Sequence, residues 1–424
     1  MAAHCFDATT FVGPCNHKAR GQHHNPPAPG RSHYLKIKRK QVCNKFFIGM
    51  KRIHTILIIL LLAVTYGEAK KSSDDRQMDD FITSLMKKMT LEEKIGQLNL
   101  GGVGSPKVVG SAIGLDEAIR KGLVSSVGGF DAKAAEDAQK FAVENSRMKI
   151  PLITGLDVVH GYYTIFPIPL ASACSWNMPL LEESARVAAD EASAFGINWT
   201  FAPMVDICRD PRWGRIAEGA GEDPCLGSRI GRAMVRGFQG DDLSKPNTLL
   251  ACVKHFALYG ASEAGRDYNT VSMDPVTMYN YYLPPYKAAF DEGAGSGMTS
   301  FNVVNGVPAT GNKWLLTDLL RDQWKFKGFM VSDANSLAEM SEHGMGGAQR
   351  ITELAMNAGL DMDMSSSLYV LCLKKAVEEK RVPLSRIDAA CRRVLEAKYK
   401  LGLFEDPFRY LKNKQRQSQV LSPQ

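Results

Sequence analysis

Charged and amide side chains recur at the ends of short apolar segments along the middle of the 424-residue chain. These residues are Asp157, Asp206, Lys254, His255, Asn302, Asp333, Asp361 and Asp363. A single aspartate in such a position could simply cap the helix that follows, but the repetition over most of the segments favours a shared site. Carboxylates accept hydrogen bonds from hydroxyl groups and cationic groups donate to them, so a ring of both suits a neutral, polyhydroxylated ligand. It suits a phosphate poorly.

The segments that carry these residues have the length and composition of buried β-strands. We predict strands at 98–101, 123–127, 151–156, 199–205, 249–253, 297–301, 328–332 and 359–362. Amphipathic stretches of helical length separate them, at 179–194, 278–292, 312–324 and 347–357. The alternation predicts a single-domain (β/α)8 TIM-like barrel of the α/β class, in which residues after the strands face one site. A doubly wound open sheet is the alternative, but no G-x-G-x-x-G motif follows the first strand.

The formal net charge of +7 is concentrated in the N-terminal region. Residues 1–69 contain ten of the 52 lysines and arginines but only two of the 45 acidic residues, so the rest of the chain is close to neutral. This distribution gives no basic surface for a nucleic acid. The six cysteines after residue 69 form neither a C-x-x-C motif nor a cluster with metal spacing. We therefore predict no metal and no other cofactor.

The N-terminal region also has the features of an export signal. Met50, Lys51 and Arg52 precede an apolar run at 56–64, which is the pattern of a signal peptide at 50–69. The run is much shorter than the roughly 20 residues of a spanning helix. We expect translation to start at Met50, residues 1–49 to be a disordered upstream extension, and the mature chain to be periplasmic or secreted without a membrane span. A short buried helix behind a basic tail is the alternative.

Several blocks of the sequence resemble the N-terminal barrel domain of glycoside hydrolase family 3, in particular that of bacterial periplasmic β-glucosidases. The resemblance covers about residues 76–410. Its blocks are GLDVVHG at 155–161, TFAPMVD at 200–206, RDPRWGR at 209–215, GEDP at 221–224, VKHF at 253–256 and GFMVSD at 328–333. The resemblance assigns residues 70–410 to the family's (β/α)8 domain and leaves 411–424 as a polar tail or the start of a linker.

The resemblance implies a retaining glycosidase that removes terminal β-D-glucosyl residues from a β-glucoside or oligosaccharide. In such an enzyme an ionised carboxylate attacks the anomeric carbon while a protonated carboxyl protonates the departing oxygen. By resemblance Asp333 is the nucleophile, and the sugar hydroxyl groups are held by Asp157, Arg212, Lys254 and His255. An ion pair between Asp157 and a neighbouring cation is compatible with this role. A structural charge network is the interpretation given to Arg215, Glu218, Glu222 and Asp223.

The chain departs from the family pattern in two places. Ala334 and Asn335 follow Asp333, where the family usually has Trp or His and then Gly, so we expect an altered subsite that lacks an aromatic wall. The family's β-glucosidases also continue into a second α/β domain that supplies the acid/base glutamate. We expect this second domain to be absent here. The segment VKHFALYG at 253–260 has no further histidine to replace it, unlike the family's single-domain β-N-acetylglucosaminidases.

Three functional hypotheses follow from these departures. The first is a β-glucosidase barrel whose acid/base-bearing domain has been lost or is a separate chain. The second is a catalytically impaired sugar-binding pseudoenzyme or a gene fragment of such an enzyme. The third, an unrelated barrel enzyme, is disfavoured by the order of the sequence blocks. If a second domain normally packs on this barrel, we expect an exposed apolar patch where it would pack.

Overall fold

The computed structural model describes residues 73–102, 114–128 and 132–412. The upstream extension and signal peptide predicted at 1–69 lie outside these ranges, as do residues 413–424 of the predicted tail. Within these ranges, no helix has both the length and the apolar character needed to cross a lipid bilayer.

The secondary structure alternates between short strands and helices. The strands are β1 (Asn99–Gly102), β2 (Ser126–Gly128), β3 (Ile153–Leu156), β4 (Trp199–Thr200), β5 (Leu250–Phe256), β6 (Ser296–Thr299), β7 (Val303–Val304), β8 (Val307–Pro308), β9 (Phe329–Val331) and β10 (Asp363–Met364). The α-helices are α1 (Ser73–Met86), α2 (Leu91–Gly96), α3 (Leu115–Arg120), α4 (Ala132–Asn145), α5 (Pro169–Ala173), α6 (Met178–Ala194), α7 (Pro224–Gln239), α8 (Pro275–Thr277), α9 (Pro284–Asp291), α10 (Ser336–Glu339), α11 (Ala348–Ala358), α12 (Leu368–Glu378) and α13 (Leu384–Lys400). π-Helical turns occupy Met278–Tyr282 and Trp314–Gln323.

The main sheet is parallel, with the spatial order β10-β1-β2-β3-β4-β5-β6-β9. Its two outer strands meet at a parallel bridge between Val331 and Met362, where the Ser332 amide donates to the Met362 carbonyl over 2.9 Å. This bridge brings the ends of the sheet together into a barrel, so the predicted (β/α)8 fold is confirmed. The hairpin of β7 and β8 is a separate antiparallel unit inserted between β6 and β9.

At least one bound of every predicted strand shifts by one residue or more, and two strands differ most from the observed ones. The fourth ends early, at Thr200, and the buried chain beyond it returns to the sheet at Met204 through a bridge to Lys254. The eighth begins late, at Asp363, because Gly359 adopts a φ of 110° that ends α11 and turns the chain before it reaches the sheet.

Aromatic side chains fill the interior of the barrel. Trp199 on β4 is fully buried, and its ring lies 5.2 Å from that of Phe329 on β9. Since β4 and β9 are not neighbours in the sheet, this contact crosses the barrel. The indole Nε1 donates to the Ser296 hydroxyl over 2.8 Å, which satisfies the one polar atom of the ring. A packed interior of this kind leaves ligand binding to the ends of the strands.

Outside the barrel, α6 and α7 pack closely against each other. Their contact depends on Gly237 in α7, where a Cβ atom would lie 2.3 Å from the backbone oxygen of Glu182 in α6. Gly227, near the start of α7, is less restricted, because the nearest atom to its Cβ would be the flexible Cδ1 of Ile207 at 3.2 Å.

We expect Gly237→Ala to lower the free energy of unfolding by about 1–3 kcal/mol, since the added methyl group overpacks a backbone contact. The matched variant Gly227→Ala should be neutral or stabilising, because alanine has the higher helix propensity by about 1 kcal/mol. Denaturant unfolding of both variants and the wild type measures the difference. Equal stability of the two variants would contradict this account of the packing between α6 and α7.

Candidate active site

Strand β5 brings two consecutive side chains to the carboxyl end of the barrel. Lys254 and His255 would point to opposite faces of a regular strand. The pairing of β5 with β6 shifts its register between Val253 and Phe256, so that β5 contains one extra residue there. Such irregularities redirect side chains near functional sites. Both Lys254 and His255 consequently contact residues that follow other strands of the barrel.

Lys254 pairs with Asp157, which directly follows β3. The ammonium group donates to Oδ1 of Asp157 over 2.5 Å. The lysine side chain is 4% exposed and the aspartate side chain is 60% exposed. The pair therefore presents an accessible carboxylate above a buried cation, an arrangement in which the aspartate can accept further hydrogen bonds from a ligand.

His255 is held by Asp206 in the loop after β4. Oδ2 of Asp206 lies 2.9 Å from both the backbone nitrogen and the ring Nδ1 of His255. Oδ1 of the same carboxylate accepts a hydrogen bond from the Tyr286 hydroxyl on α9. All three side chains are buried. Because Nδ1 is turned toward the Asp206 carboxylate, the other ring nitrogen, Nε2, lies on the side of the imidazole away from Asp206.

That nitrogen faces Asp333, two residues after β9. Nε2 of His255 lies 3.5 Å from Oδ2 of Asp333, whose side chain is 12% exposed. Oδ1 of Asp333 accepts a hydrogen bond from the Ala334 amide over 2.7 Å, whereas Oδ2 has no hydrogen-bond partner among the described residues. Burial raises the pKa of Asp333, although His255, Lys254, the Ala334 amide and Arg215 oppose the increase.

Arg215 and Glu218 adjoin this cluster. The Arg215 guanidinium pairs with Glu218, with Nε to Oε1 at 2.6 Å, and lies 5.5 Å from the ring centre of Tyr259. Burial opposes ionisation of Glu218, but its hydrogen bond and charge interaction with Arg215 and the charges of Lys254 and His255 outweigh burial and lower its pKa. The two residues form the ion pair expected of a structural network, yet their charges also act on the residues of the site.

Arg212 is placed differently. Its side chain is 69% exposed and forms a forked ion pair with Asp210, with Nη2 to Oδ2 at 2.7 Å. No contact among the described residues joins Arg212 to Asp157, Lys254 or His255. The RDPRWGR block contains both arginines, and its spacing alone does not distinguish the exposed Arg212 from the half-buried Arg215.

The remaining polar residues at strand ends serve the framework. Asp361 is buried between Arg321 and Arg393, at 2.6 and 2.7 Å. Asp363 accepts hydrogen bonds from the Ser366 hydroxyl and the Tyr369 amide at the start of α12, and its burial raises its pKa to about 6. Asn302 is buried and donates to the Ala257 carbonyl over 3.4 Å. None of these contacts reaches Asp333.

In the described part of the chain, no group of three or more histidine, cysteine, aspartate or glutamate side chains could hold a metal ion. The six cysteines there are free thiols. The candidate site therefore consists of a buried carboxylate, a fixed imidazole, two cations and an exposed carboxylate. Such a set can bind hydroxyl groups and offer a carboxylate nucleophile.

Comparison with known proteins also indicates a glycosidase domain. The model of the glycosyl hydrolase family 3 N-terminal domain matches residues 90–397. The chain belongs to this family. Among its members, a periplasmic β-glucosidase from Salmonella typhimurium is 43% identical over 339 residues, which is 78% of this chain and 43% of that protein.

Two further relatives are a lysosomal β-glucosidase and a crystal structure. The β-glucosidase of Dictyostelium discoideum is 32% identical over 368 residues, covering 78% of this chain and 45% of that protein. The β-glucosidase from Listeria innocua in complex with isofagomine has a TM-score of 0.76 at 43% identity, covering 81% of this chain and 49% of that chain. The chain thus spans about half the length, or less, of the family members it matches.

The hydrogen bond from Tyr286 to Asp206 can be removed with little change in shape. We expect Tyr286→Phe to lower the free energy of unfolding by about 2 kcal/mol, because it leaves a buried Asp206 oxygen without its donor and the Leu258 amide without its acceptor. Denaturant unfolding followed by tryptophan fluorescence measures the effect. The control Tyr279→Phe, at an exposed tyrosine, should change nothing. Equal stability of both variants would show that the Tyr286 hydroxyl does not stabilise Asp206.

A raised pKa at Asp333 makes its effect on stability depend on pH. Between the ordinary carboxyl pKa and the raised one, the folded chain binds more protons than the unfolded chain, so the Asp333 contribution to stability falls as pH rises. We expect Asp333→Asn to raise the melting temperature at neutral pH, with a gain that shrinks below the ordinary carboxyl pKa. Asp210→Asn should not stabilise the chain, because the hydrogen bond and charge of Arg212 lower the pKa of Asp210 to about 2. A destabilised Asp333→Asn at neutral pH would contradict the expectation.

Proposed function

We propose that this chain supplies the nucleophile and sugar-binding groups of a retaining glycosidase that acts on β-D-glucosides. In the proposed reaction Oδ2 of Asp333 forms a bond to the anomeric carbon as the bond to the leaving oxygen breaks, and water then hydrolyses the glycosyl-enzyme. The observation that carries the proposal is the surroundings of Oδ2. It is buried, lacks a hydrogen-bond donor among the described residues, and faces the fixed imidazole of His255 at 3.5 Å.

The neighbours of Asp333 support the sugar-binding part of the proposal. Asp157 can accept hydrogen bonds from two adjacent hydroxyl groups, while Lys254 and the Nε2 side of His255 can contact the same sugar. Arg212 is exposed and has no contact among the described residues with the other sugar-binding groups, so we assign the arginine role to Arg215, whose charge already acts on Asp333. The β-glucosidase names of the similar proteins from Salmonella, Dictyostelium and Listeria support a glucosyl substrate.

For the acid/base we propose a separate domain. Asp157 and Asp206 are already paired with Lys254 and His255, and the pairing of Glu218 with Arg215 helps to lower the Glu218 pKa, which is the wrong direction for a proton donor. Exposed apolar side chains between β3 and the first turn of α6, on the site's side of the barrel, support a docking surface for such a domain. They are Tyr163, Ile165, Ile168, Trp176 and Leu180.

Glu339 is a second candidate for the acid within this chain. It ends α10, the short helix that begins three residues after Asp333. Burial and the negative charges of Glu342 and Asp333 raise the pKa of Glu339, which is the direction that a proton donor requires.

A periplasmic or secreted location completes the proposal. The charge-flanked apolar run after Met50 supports it, as does the periplasmic name of the Salmonella relative.

A trapping reagent tests the nucleophile without needing the acid. We expect 2,4-dinitrophenyl 2-deoxy-2-fluoro-β-D-glucoside to add one fluoroglucosyl group to the wild type, because dinitrophenolate departs without being protonated. Asp333→Asn should gain none, because it lacks the nucleophile. Intact-mass spectrometry detects the adduct, and Asp210→Asn should label like the wild type. No adduct together with glucose binding would favour the pseudoenzyme; neither adduct nor binding would contradict the whole proposal.

The same protein tests the source of the acid. If this chain lacks the acid, its rate of hydrolysis of methyl β-D-glucoside should be about 10²–10⁴-fold lower than that of an enzyme with the acid. The rate of hydrolysis of dinitrophenyl β-D-glucoside should be lowered far less, because its leaving group needs no proton. If methyl glucoside is hydrolysed efficiently by this chain alone and Glu339→Gln abolishes that activity, the acid is Glu339 and the separate domain is unnecessary.

A further inference from the structure

Beyond the cluster around Asp333, one exposed aromatic side chain is connected to the site by ring contacts. Tyr268 lies in the loop after β5 and is 50% exposed. Its ring centre lies 4.6 Å from that of Phe301, which follows β6, and 6.2 Å from that of the buried Tyr259. The Tyr259 ring in turn lies edge-on to the His255 imidazole at 5.2 Å. A row of rings thus leads from His255 to the solvent-exposed mouth of the barrel.

The backbone holds Tyr268 in an unfavourable conformation. Its φ of 65° is in the left-handed region, which is uncommon for a bulky residue. The loop around it is closed by a hydrogen bond from the Glu263 amide to the Thr270 carbonyl over 3.0 Å. The adjacent Asp267 accepts a hydrogen bond from Nε1 of the buried Trp213 over 2.9 Å. Strain that is fixed in this way by its surroundings is characteristic of functional positions.

Tyr268 also lies within electrostatic reach of the proposed nucleophile. Burial and the negative charges of Glu339, Asp267 and Asp333 raise the pKa of its hydroxyl group. The positions next to Asp333 itself, Ala334 and Asn335, are exposed and carry no ring. Tyr268 resting on Phe301 instead offers an aromatic surface on a different loop from the nucleophile.

One of the proposed sugar-binding groups, Asp157, comes from a different strand end than Tyr268 and Phe301. Asp157 follows β3 and pairs with Lys254, whereas Tyr268 and Phe301 follow β5 and β6. If a glucosyl ring occupies the position between Asp157 and Asp333, the group attached to its anomeric carbon extends outward toward the rim. An exposed ring there offers a flat apolar surface against which another ring can stack.

We infer that Tyr268, supported by Phe301, forms the binding surface for the leaving group of the substrate and selects flat, aromatic leaving groups over small aliphatic ones. This inference rests on the proposed function for the position of the sugar. Other exposed aromatic residues, such as Tyr279 and Tyr281 on the π-helical turn at Met278–Tyr282, lack the ring contacts that connect Tyr268 to His255, among those that the structure describes.

Binding of two inert ligands tests the inference. Phenyl 1-thio-β-D-glucoside and methyl 1-thio-β-D-glucoside share the sugar and differ only in the group that Tyr268 would contact. By titration calorimetry we expect the wild type to prefer the phenyl ligand, and Tyr268→Ala and Tyr268→Leu to reduce this preference about three- to tenfold. Tyr268→Phe should keep the preference, because the ring and not the hydroxyl group provides the surface.

The controls separate recognition from structure. Tyr279→Ala removes an equally exposed tyrosine away from the site and should keep the preference. Because Tyr268→Leu retains an apolar side chain over Phe301, its loss of preference cannot be assigned to a collapsed loop. An unchanged preference in both Tyr268→Ala and Tyr268→Leu overturns the inference. So does an equal loss of affinity for both ligands, or a wild type that binds the two ligands equally or not at all.

Covalent labelling distinguishes failure of this inference from failure of the proposed function. With 2-deoxy-2-fluoro-β-D-glucosyl fluoride the leaving group has no ring, so labelling of the wild type at Asp333 reports on the nucleophile without the proposed leaving-group surface. If the wild type is not labelled but the phenyl preference depends on Tyr268, the surface is supported and the nucleophile is not. If labelling occurs and the preference is independent of Tyr268, the surface alone is wrong.

Discussion

The pairing of Asp206 with His255 is the interaction on which the candidate site depends. A fully buried carboxylate is tolerated only when its oxygens are satisfied, and Asp206 is satisfied by the backbone and ring of His255 and by Tyr286. These groups belong to β5 and α9, so one charge joins a strand to the helix that covers it. The same pairing fixes the imidazole and directs Nε2 to Asp333. The position of His255, which neighbours the proposed nucleophile Asp333, is therefore set by the core.

Two carboxylates of the site have opposite surroundings. Asp157 is exposed and paired with a buried lysine, whereas Asp333 is buried and has a free oxygen among the described contacts. Burial disfavours the charge of Asp333, and the nearby cations make ionisation possible despite it. Formation of an ester with a sugar would remove that charge and with it the penalty of burial. In the proposed mechanism this would lower the cost of forming the covalent intermediate.

Much of this arrangement could be predicted from the sequence, since strand periodicity and polar strand ends identify a barrel and its functional face. Three features could not. Alternation along β5 sends Lys254 and His255 to opposite faces, and only the register shift against β6 brings both to the site. Gly359 delays the last strand, which leaves its aspartates in the framework. The proposed choice of Arg215 over Arg212 depends on burial, which the spacing of the two residues does not encode.

The aromatic residues behind His255 connect stability with recognition. Tyr259 is buried against both the imidazole and the indole of Trp213, so it excludes water from one side of His255. The same ring contacts Tyr268, so the packing that isolates the imidazole also supports the side chain at the mouth of the barrel. A substitution that loosens Tyr259 would therefore affect the reacting end of the site and its rim together, because the two ends share one set of ring contacts. Selectivity for the leaving group is in this way a consequence of core packing as well as of the exposed loop.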